Sequence, residues 1–124
     1  MNINTVEEFI LFPFLQGGFH MKKASHLTVN KIIDENKLTL ILDGRLDTNT
    51  APESEKALNE SLENVNDLVL DFSGLEYISS VGLRLLLTAK KRISSKGSMK
   101  IIGVKGAALD IFEITGLTDI ITIE

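Results

Sequence analysis

The chain contains no cysteine. Disulfide bonds, thiol catalysis and cysteine-based metal sites are therefore excluded. Histidine is scarce as well. His20 and His26 are the 2 histidines, and neither has a second histidine or a carboxylate at metal-ligand spacing, so both read as surface residues. No apolar run reaches the roughly 20 residues that a helical membrane span requires. An excess of positive charge is missing too. Against 13 Lys and Arg stand 17 Asp and Glu, for a net charge of -4 and a pI near 5.2. A protein that grips a phosphate backbone normally carries the opposite balance, so nucleic acid is not an expected direct partner. The one local basic cluster, Lys90, Lys91 and Arg92, reads as the solvated end of a helix.

What is present is enough for one domain. The chain has 124 residues, 44% of them hydrophobic and 24% charged, an ordinary soluble composition that argues against disorder. Residues 1–24 form a leader unlike the rest, and residues 25–124 form the domain. The leader carries Val6, Phe9, Ile10, Leu11, Phe12, Phe14 and Leu15, followed by Gly17 and Gly18. Its apolar run follows Glu7 and Glu8, whereas a secretory signal would carry lysine or arginine there. Three readings stay open. The leader is an added helix or strand that packs on the domain or on a second copy, giving a homodimer; or it is a disordered arm; or it is translated upstream sequence, with Met21 the natural start.

Along the domain, Leu27 to Ile33 reads as a strand, Asp34 to Lys37 as a polar turn, and Leu38 to Asp43 as a second strand with Leu38, Leu40 and Leu42 on one face. Thr50-Ala51-Pro52-Glu53 matches a capping box. It opens a helix to about Asn64 with Ala51, Ser54, Leu58, Leu62 and Val65 inward. Leu68-Val69-Leu70 suits a central strand buried on both faces. Phe72 to Ile78 reads as a long connection turning at Ser73 and Gly74. A second helix buries Gly82, Leu86, Ala89 and Ile93, exposes Arg84, Thr88, Lys91 and Ser95, and stops at Gly97. Met99 to Val104 is a strand, Ala107 to Thr115 a helix stopped by Gly116, and Asp119 to Ile123 a last strand. A hairpin followed by α, β, α, β, α, β predicts an α/β fold: a mixed β-sheet with an N-terminal hairpin, alternating helices, largely parallel strands and right-handed crossovers. There are no internal repeats or low-complexity segments.

The chemistry concentrates at Ser79-Ser80-Val81-Gly82, where a loop becomes a helix. Serine there is a common helix cap. The same geometry tolerates a phosphate, because the first helical turn has unpaired N–H groups and partial positive charge. A phosphate adds about -1.5 to -2 charges and changes the surface a partner meets. Gly82 costs about 1 kcal/mol relative to alanine, which implies either a close backbone approach or a surface kept bare for a partner. No nucleophile–base pair, metal cluster or phosphate-cradling loop is evident. Gly103-Val104-Lys105-Gly106 lacks the strand–loop–helix fingerprint of a nucleotide site.

The stretch from Leu68 to Leu83, Leu-Val-Leu-Asp-Phe-Ser-Gly-Leu-Glu-Tyr-Ile-Ser-Ser-Val-Gly-Leu, resembles the signature of the STAS domain family, the anti-sigma factor antagonists. Leu42 to Asp47 with Thr50-Ala51-Pro52, the segment Gly97 to Val104, and Ile114 to Leu117 resemble other family segments in the same order. The resemblance covers about Ser25 to Glu124. It implies a STAS fold and a bacterial, cytoplasmic phosphoprotein that needs no catalytic residue and no cofactor. The family's phosphorylated serine falls on Ser80 and its glycine on Gly82. The aspartate usual before the serine is replaced by Ser79, which makes Ser79 an alternative acceptor. Asp47 and Thr48 match the loop presented to the kinase, and Asp71 the acidic end of the central strand. Asp47, Thr48, Val81 and Arg84 outline the expected partner-binding surface around Ser79, Ser80 and Gly82. The implied partners are an anti-sigma factor that is a serine kinase, and a serine phosphatase. The implied mechanism is partner switching, which frees a sigma factor for transcription. The alternative is a STAS-fold accessory or scaffold subunit, in a stress-signalling assembly or a lipid transporter, without a phosphoswitch.

Overall fold

A computed structural model describes residues 26–124. The expectations for the leader, including self-association through it, fall outside those residues, as does His20.

The first two strands, β1 (Leu27–Asp34) and β2 (Lys37–Leu46), form an antiparallel hairpin. Its turn is tighter than the four-residue segment expected. Asp34 and Lys37 pair across the strands, which leaves Glu35 and Asn36 to reverse the chain, with Glu35 at φ 56° in the left-handed region. Helix α1 (Ala51–Ser61) buries Ala51, Ser54, Leu58 and Ser61, then tightens into a 3-10 turn at Leu62–Asn64. Leu62 and Val65 join the core as the pattern predicts. Pro52 lies in the first turn, where no N–H is needed. The capping box, however, does not form. The Thr50 hydroxyl turns back, accepts the Asp47 N–H at 2.9 Å and donates to the Arg45 carbonyl at 2.6 Å.

Strand β3 (Asp67–Ile78) differs most from expectation. Leu68, Val69 and Leu70 are buried, but the strand does not stop there. Phe72 to Ile78 continues it, because β2 also runs on to Leu46 and offers pairing partners. Two register shifts in that stretch set Gly74 opposite Asp43 and Tyr77 opposite Arg45. Ser73 and Gly74 are therefore residues of an irregular strand rather than of a turn. A Cβ on Gly74 would lie 1.6 Å from Asp43 Oδ1, so the glycine makes room for that carboxylate.

Helix α2 (Ser80–Ser94) buries the four residues predicted, Gly82, Leu86, Ala89 and Ile93. Its end is not a left-handed glycine stop. Ser95 is the C-cap at φ -79°. Gly97 is present for another reason: a Cβ there would sit 1.6 Å from the Asn66 carbonyl oxygen. Strand β4 (Ser98–Ile102) ends at Gly103 (φ 78°), and helix α3 (Gly106–Thr115) closes on Gly116 at φ 80°, the left-handed cap expected. A 3-10 turn at Leu117–Asp119 takes the start of the predicted last strand and leaves β5 as Thr122–Ile123.

The five strands lie in the order β1-β2-β3-β4-β5, antiparallel for the first pair and parallel thereafter. Each crossover steps the same way across the sheet, so right-handed connections put all three helices on one face. Leu38, Leu40, Leu42, Leu68, Leu70, Phe72 and Ile101 pack there against Leu58, Leu86, Ile93 and Phe112. The extended β2–β3 pair carries two connections to the same end of the sheet. Its last contact, Ser79 N–H to the Leu46 carbonyl at 2.9 Å, ties the start of α2 to the loop after β2.

Candidate partner-binding site at the start of helix α2

Ser79 is the helix cap. Its backbone is extended (φ -96°, ψ 176°), its hydroxyl accepts the Gly82 N–H at 3.3 Å, and its carbonyl accepts the Leu83 N–H at 2.9 Å. It is 4% exposed. That burial argues against Ser79 as an alternative acceptor, since its hydroxyl is committed and covered. Ser80 is the first residue of α2 and is half-buried, Val81 is half-buried beside it, and Arg84 is exposed one turn further on. Gly82 is not part of the outer surface. A Cβ there would meet Ile78 Cγ1 at 2.7 Å and Leu46 Cγ at 2.9 Å. Close approach of helix to sheet accounts for this glycine.

The loop after β2 is organised by the residue expected to face a partner. Asp47 is 6% exposed. Its Oδ1 accepts the N–H groups of Asn49 at 3.0 Å and Thr50 at 3.1 Å, and Oδ2 lies 3.7 Å from Arg45 Nε. The side chain shapes the loop, and the surface falls to half-buried Thr48 and exposed Asn49. The Thr48 hydroxyl is buried and makes no hydrogen bond. Sequence reasoning missed Arg45, whose guanidinium stacks 4.2 Å from the centroid of the Tyr77 ring. That pairing depends on the register shifts between β2 and β3, which leave no periodic signal in the chain.

Val81 and Arg84 also line a groove of about 330 Å³ between α1 and α2, with Glu55, Leu58 and Leu85. The first turn of α2 holds no acidic residue, and Lys91 and Arg92 lie in its last turn, where cations suit the helix dipole. Arg92 bonds Asn59, and Lys96 just beyond the helix donates to the Leu62 and Glu63 carbonyls. The basic cluster is thus a helix end, as read from the sequence. Midway along β3, Asp71 Oδ1 accepts the Ser73 hydroxyl at 2.6 Å and its N–H at 2.9 Å. These two bonds hold the carboxyl below the ordinary 3.8, so its visible work is to fix the irregular stretch of the strand at Ser73. Among the described residues there is no group of three or more His, Asp or Glu suited to a metal ion. No helix among them is long and apolar enough to cross a membrane.

Residues 28–124 match the model of the STAS domain. The chain belongs to the STAS domain family. Among curated STAS relatives, the anti-sigma-B factor antagonist of Listeria monocytogenes is 32% identical over 94 residues, which are 73% of this chain and 82% of that protein. Among solved STAS structures, an anti-sigma factor antagonist from Mycobacterium paratuberculosis matches with a TM-score of 0.74 at 22% identity, covering 79% of this chain and 85% of that one. The Bacillus cell fate determinant SpoIIAA in its phosphorylated form matches with a TM-score of 0.63 at 15% identity, covering 80% and 91%. The position at which the resemblance leads one to expect aspartate is the helix cap, and Ser79 fills it. Serine and aspartate are interchangeable in that role, so the departure preserves the cap and removes one negative charge from beside Ser80.

Proposed function

We propose that this STAS protein is an anti-sigma factor antagonist that works by partner switching. With Ser80 bare it binds an anti-sigma factor that is itself a serine kinase, and so releases a sigma factor for transcription. The kinase transfers the γ-phosphoryl group of ATP to Ser80 Oγ, the serine proton leaves, and ADP is released. The complex then separates. A serine phosphatase hydrolyses the phosphoester and restores the binding form. The protein acts by binding, in the cytoplasm, and supplies no catalytic group of its own.

The observation that carries this reading is the division between adjacent serines. Ser79 is buried and caps the helix, while Ser80 sits half-buried at the first position of α2 beside exposed Arg84. A phosphate on Ser80 leaves the cap and the Gly82 contact in place, so the fold survives the modification. In a close-packed interface the same group is costly, through desolvation and like-charge repulsion. A change of about 4 kcal/mol in binding is roughly a thousandfold in affinity. The relatives named above as anti-sigma factor antagonists, and a fold neighbour with a phosphorylated form, support the same reading.

The test incubates the protein with a candidate anti-sigma factor kinase and ATP and maps the modified residue by mass. Label at Ser80, with Ser80→Ala held by the kinase and Ser80→Glu released, is the expected result. Equal binding of the two variants removes the phosphoswitch and leaves a scaffold module.

A further inference from the structure

Ser80 and Arg84 stand four residues apart on the outer face of α2, opposite the buried row Gly82, Leu86, Ala89 and Ile93. Residues so spaced are neighbours on a helix surface, about 5–6 Å apart at Cβ. The Arg84 side chain is exposed. Among the described residues the ion pairs are Lys31–Glu60, Arg45–Asp47 and Lys100–Glu124, so no carboxylate holds this guanidinium. The first turn of α2 supplies no acidic competitor either. Beyond the helix, Glu55 of α1 is the charged residue that shares the groove wall with Arg84, while Arg45 and Asp47 face each other; Glu53, Lys56 and Glu60 of α1, Asp67, Asp71 and Glu76 of β3 and Lys100 of β4 do not line that groove.

We propose that Arg84 is the intramolecular clamp for a phosphate on Ser80, a role that rests on the phosphoswitch reading above. A planar guanidinium with several donors matches phosphate geometry better than an ammonium does. In the unmodified protein Arg84 is an exposed cation near Ser80 with no ion-pair partner among the described residues. Once the phosphate is present, the guanidinium swings back by one turn to meet it. Modification then does two things at once: it places negative charge in the interface, and it withdraws a positive group that the partner had met. Arg84 is a positioning residue here, not a catalytic one.

The test needs no kinase. Phosphoserine is incorporated genetically at position 80 of the full chain, and its phosphate is titrated by phosphorus NMR. A free phosphoserine titrates near pH 6. A clamping cation favours the dianion, so the wild-type value lies below that of Arg84→Gln by roughly 0.3 pH units, the size of an i to i+4 ion pair. Arg84→Lys recovers part of the shift, and Glu55→Gln, by removing a competitor, lowers the value slightly further. Lys91→Gln, about three turns beyond Ser80, leaves the titration unchanged. Identical titrations for the wild type and Arg84→Gln overturn the clamp, as does an equal shift in Lys91→Gln, which would mark a diffuse charge effect. Failure of a kinase to label Ser80 overturns the switch instead, so the two failures are read on different instruments.

Discussion

Replacing Gly82 by alanine tests whether the start of α2 is held by contact with the sheet. The added methyl would fall 2.7 Å from Ile78 Cγ1, 2.9 Å from Leu46 Cγ and 3.2 Å from Leu46 Cδ2. The first two are inner atoms of side chains that are 3% and 0% exposed, so neither swings aside. Overpacking of this kind costs about 1–3 kcal/mol. Alanine returns up to about 1 kcal/mol through better helix propensity, and less in a first turn. The net expectation is a loss of about 1–2 kcal/mol, which for a domain near this size lowers the melting temperature by roughly 5–10 °C. Thermal and urea denaturation of the unmodified protein measure it. A double-mutant cycle with Leu46→Ala sharpens the result. Removing the Leu46 side chain opens the space the methyl needs, so the two losses should fall short of additive by about 1 kcal/mol. A Gly82→Ala protein as stable as the wild type, or simple additivity with Leu46→Ala, would refute the close-approach account.

Three further outcomes are expected. Ser79→Ala removes the helix cap and lowers stability by about 1 kcal/mol, whereas Ser79→Asp restores it; equal stability of all three in urea would show that the 3.3 Å bond to Gly82 contributes nothing. Asp71 has a carboxyl pKa held below the ordinary 3.8 by Ser73. A depressed folded-state pKa adds stability above the unfolded value and loses it as pH falls through the folded one. The gap between wild type and Asp71→Ala in urea should therefore be full at pH 7 and shrink below about pH 4, and a gap that is flat with pH would dismiss the linkage. Gly97→Ala drives a methyl to 1.6 Å from the Asn66 carbonyl oxygen, a backbone atom that cannot rotate away. It should cost more than Gly116→Ala, where a Cβ meets nothing within 4 Å and only the φ of 80° opposes it. The reverse order in thermal melts would contradict this.

Much of the fold is legible in the chain because its signals are periodic or local. The inward row of α2 is spaced as a helix face, and Gly116 stops α3 in the left-handed conformation its position predicts. What escapes the eye depends on residues far apart in sequence. The stretch Phe72 to Ile78 contains serine and glycine and reads as a loop, yet it is a strand because β2 extends alongside it and two register shifts absorb its irregular pattern. Gly97 looks like a helix stop, but the atom that requires it belongs to Asn66. The site divides the same way. The family motif points to the proposed site at Ser80, whereas burial separates its neighbours: Asp47, Ser79 and Gly82 are turned inward, and Thr48, Val81 and Arg84 are half-buried or exposed. A sequence motif records both groups without distinction, since each is needed.

On the proposed reading, that separation would let one position change charge while the domain keeps its shape. Groups that hold the start of α2 all act beneath it: the Ser79 N–H on Leu46, the Ser79 hydroxyl on the Gly82 N–H, and the backbone of Gly82 against Ile78. On the proposed reading, a negative group added to Ser80 meets a helix start whose dipole favours it. Were the cap and the modified residue the same serine, phosphorylation would remove the bond that starts the helix, and binding and folding would change together. Two consecutive serines let the surface be rewritten while the scaffold is left alone. The replacement of aspartate by Ser79 keeps that arrangement, because capping requires an oxygen acceptor and not a charge.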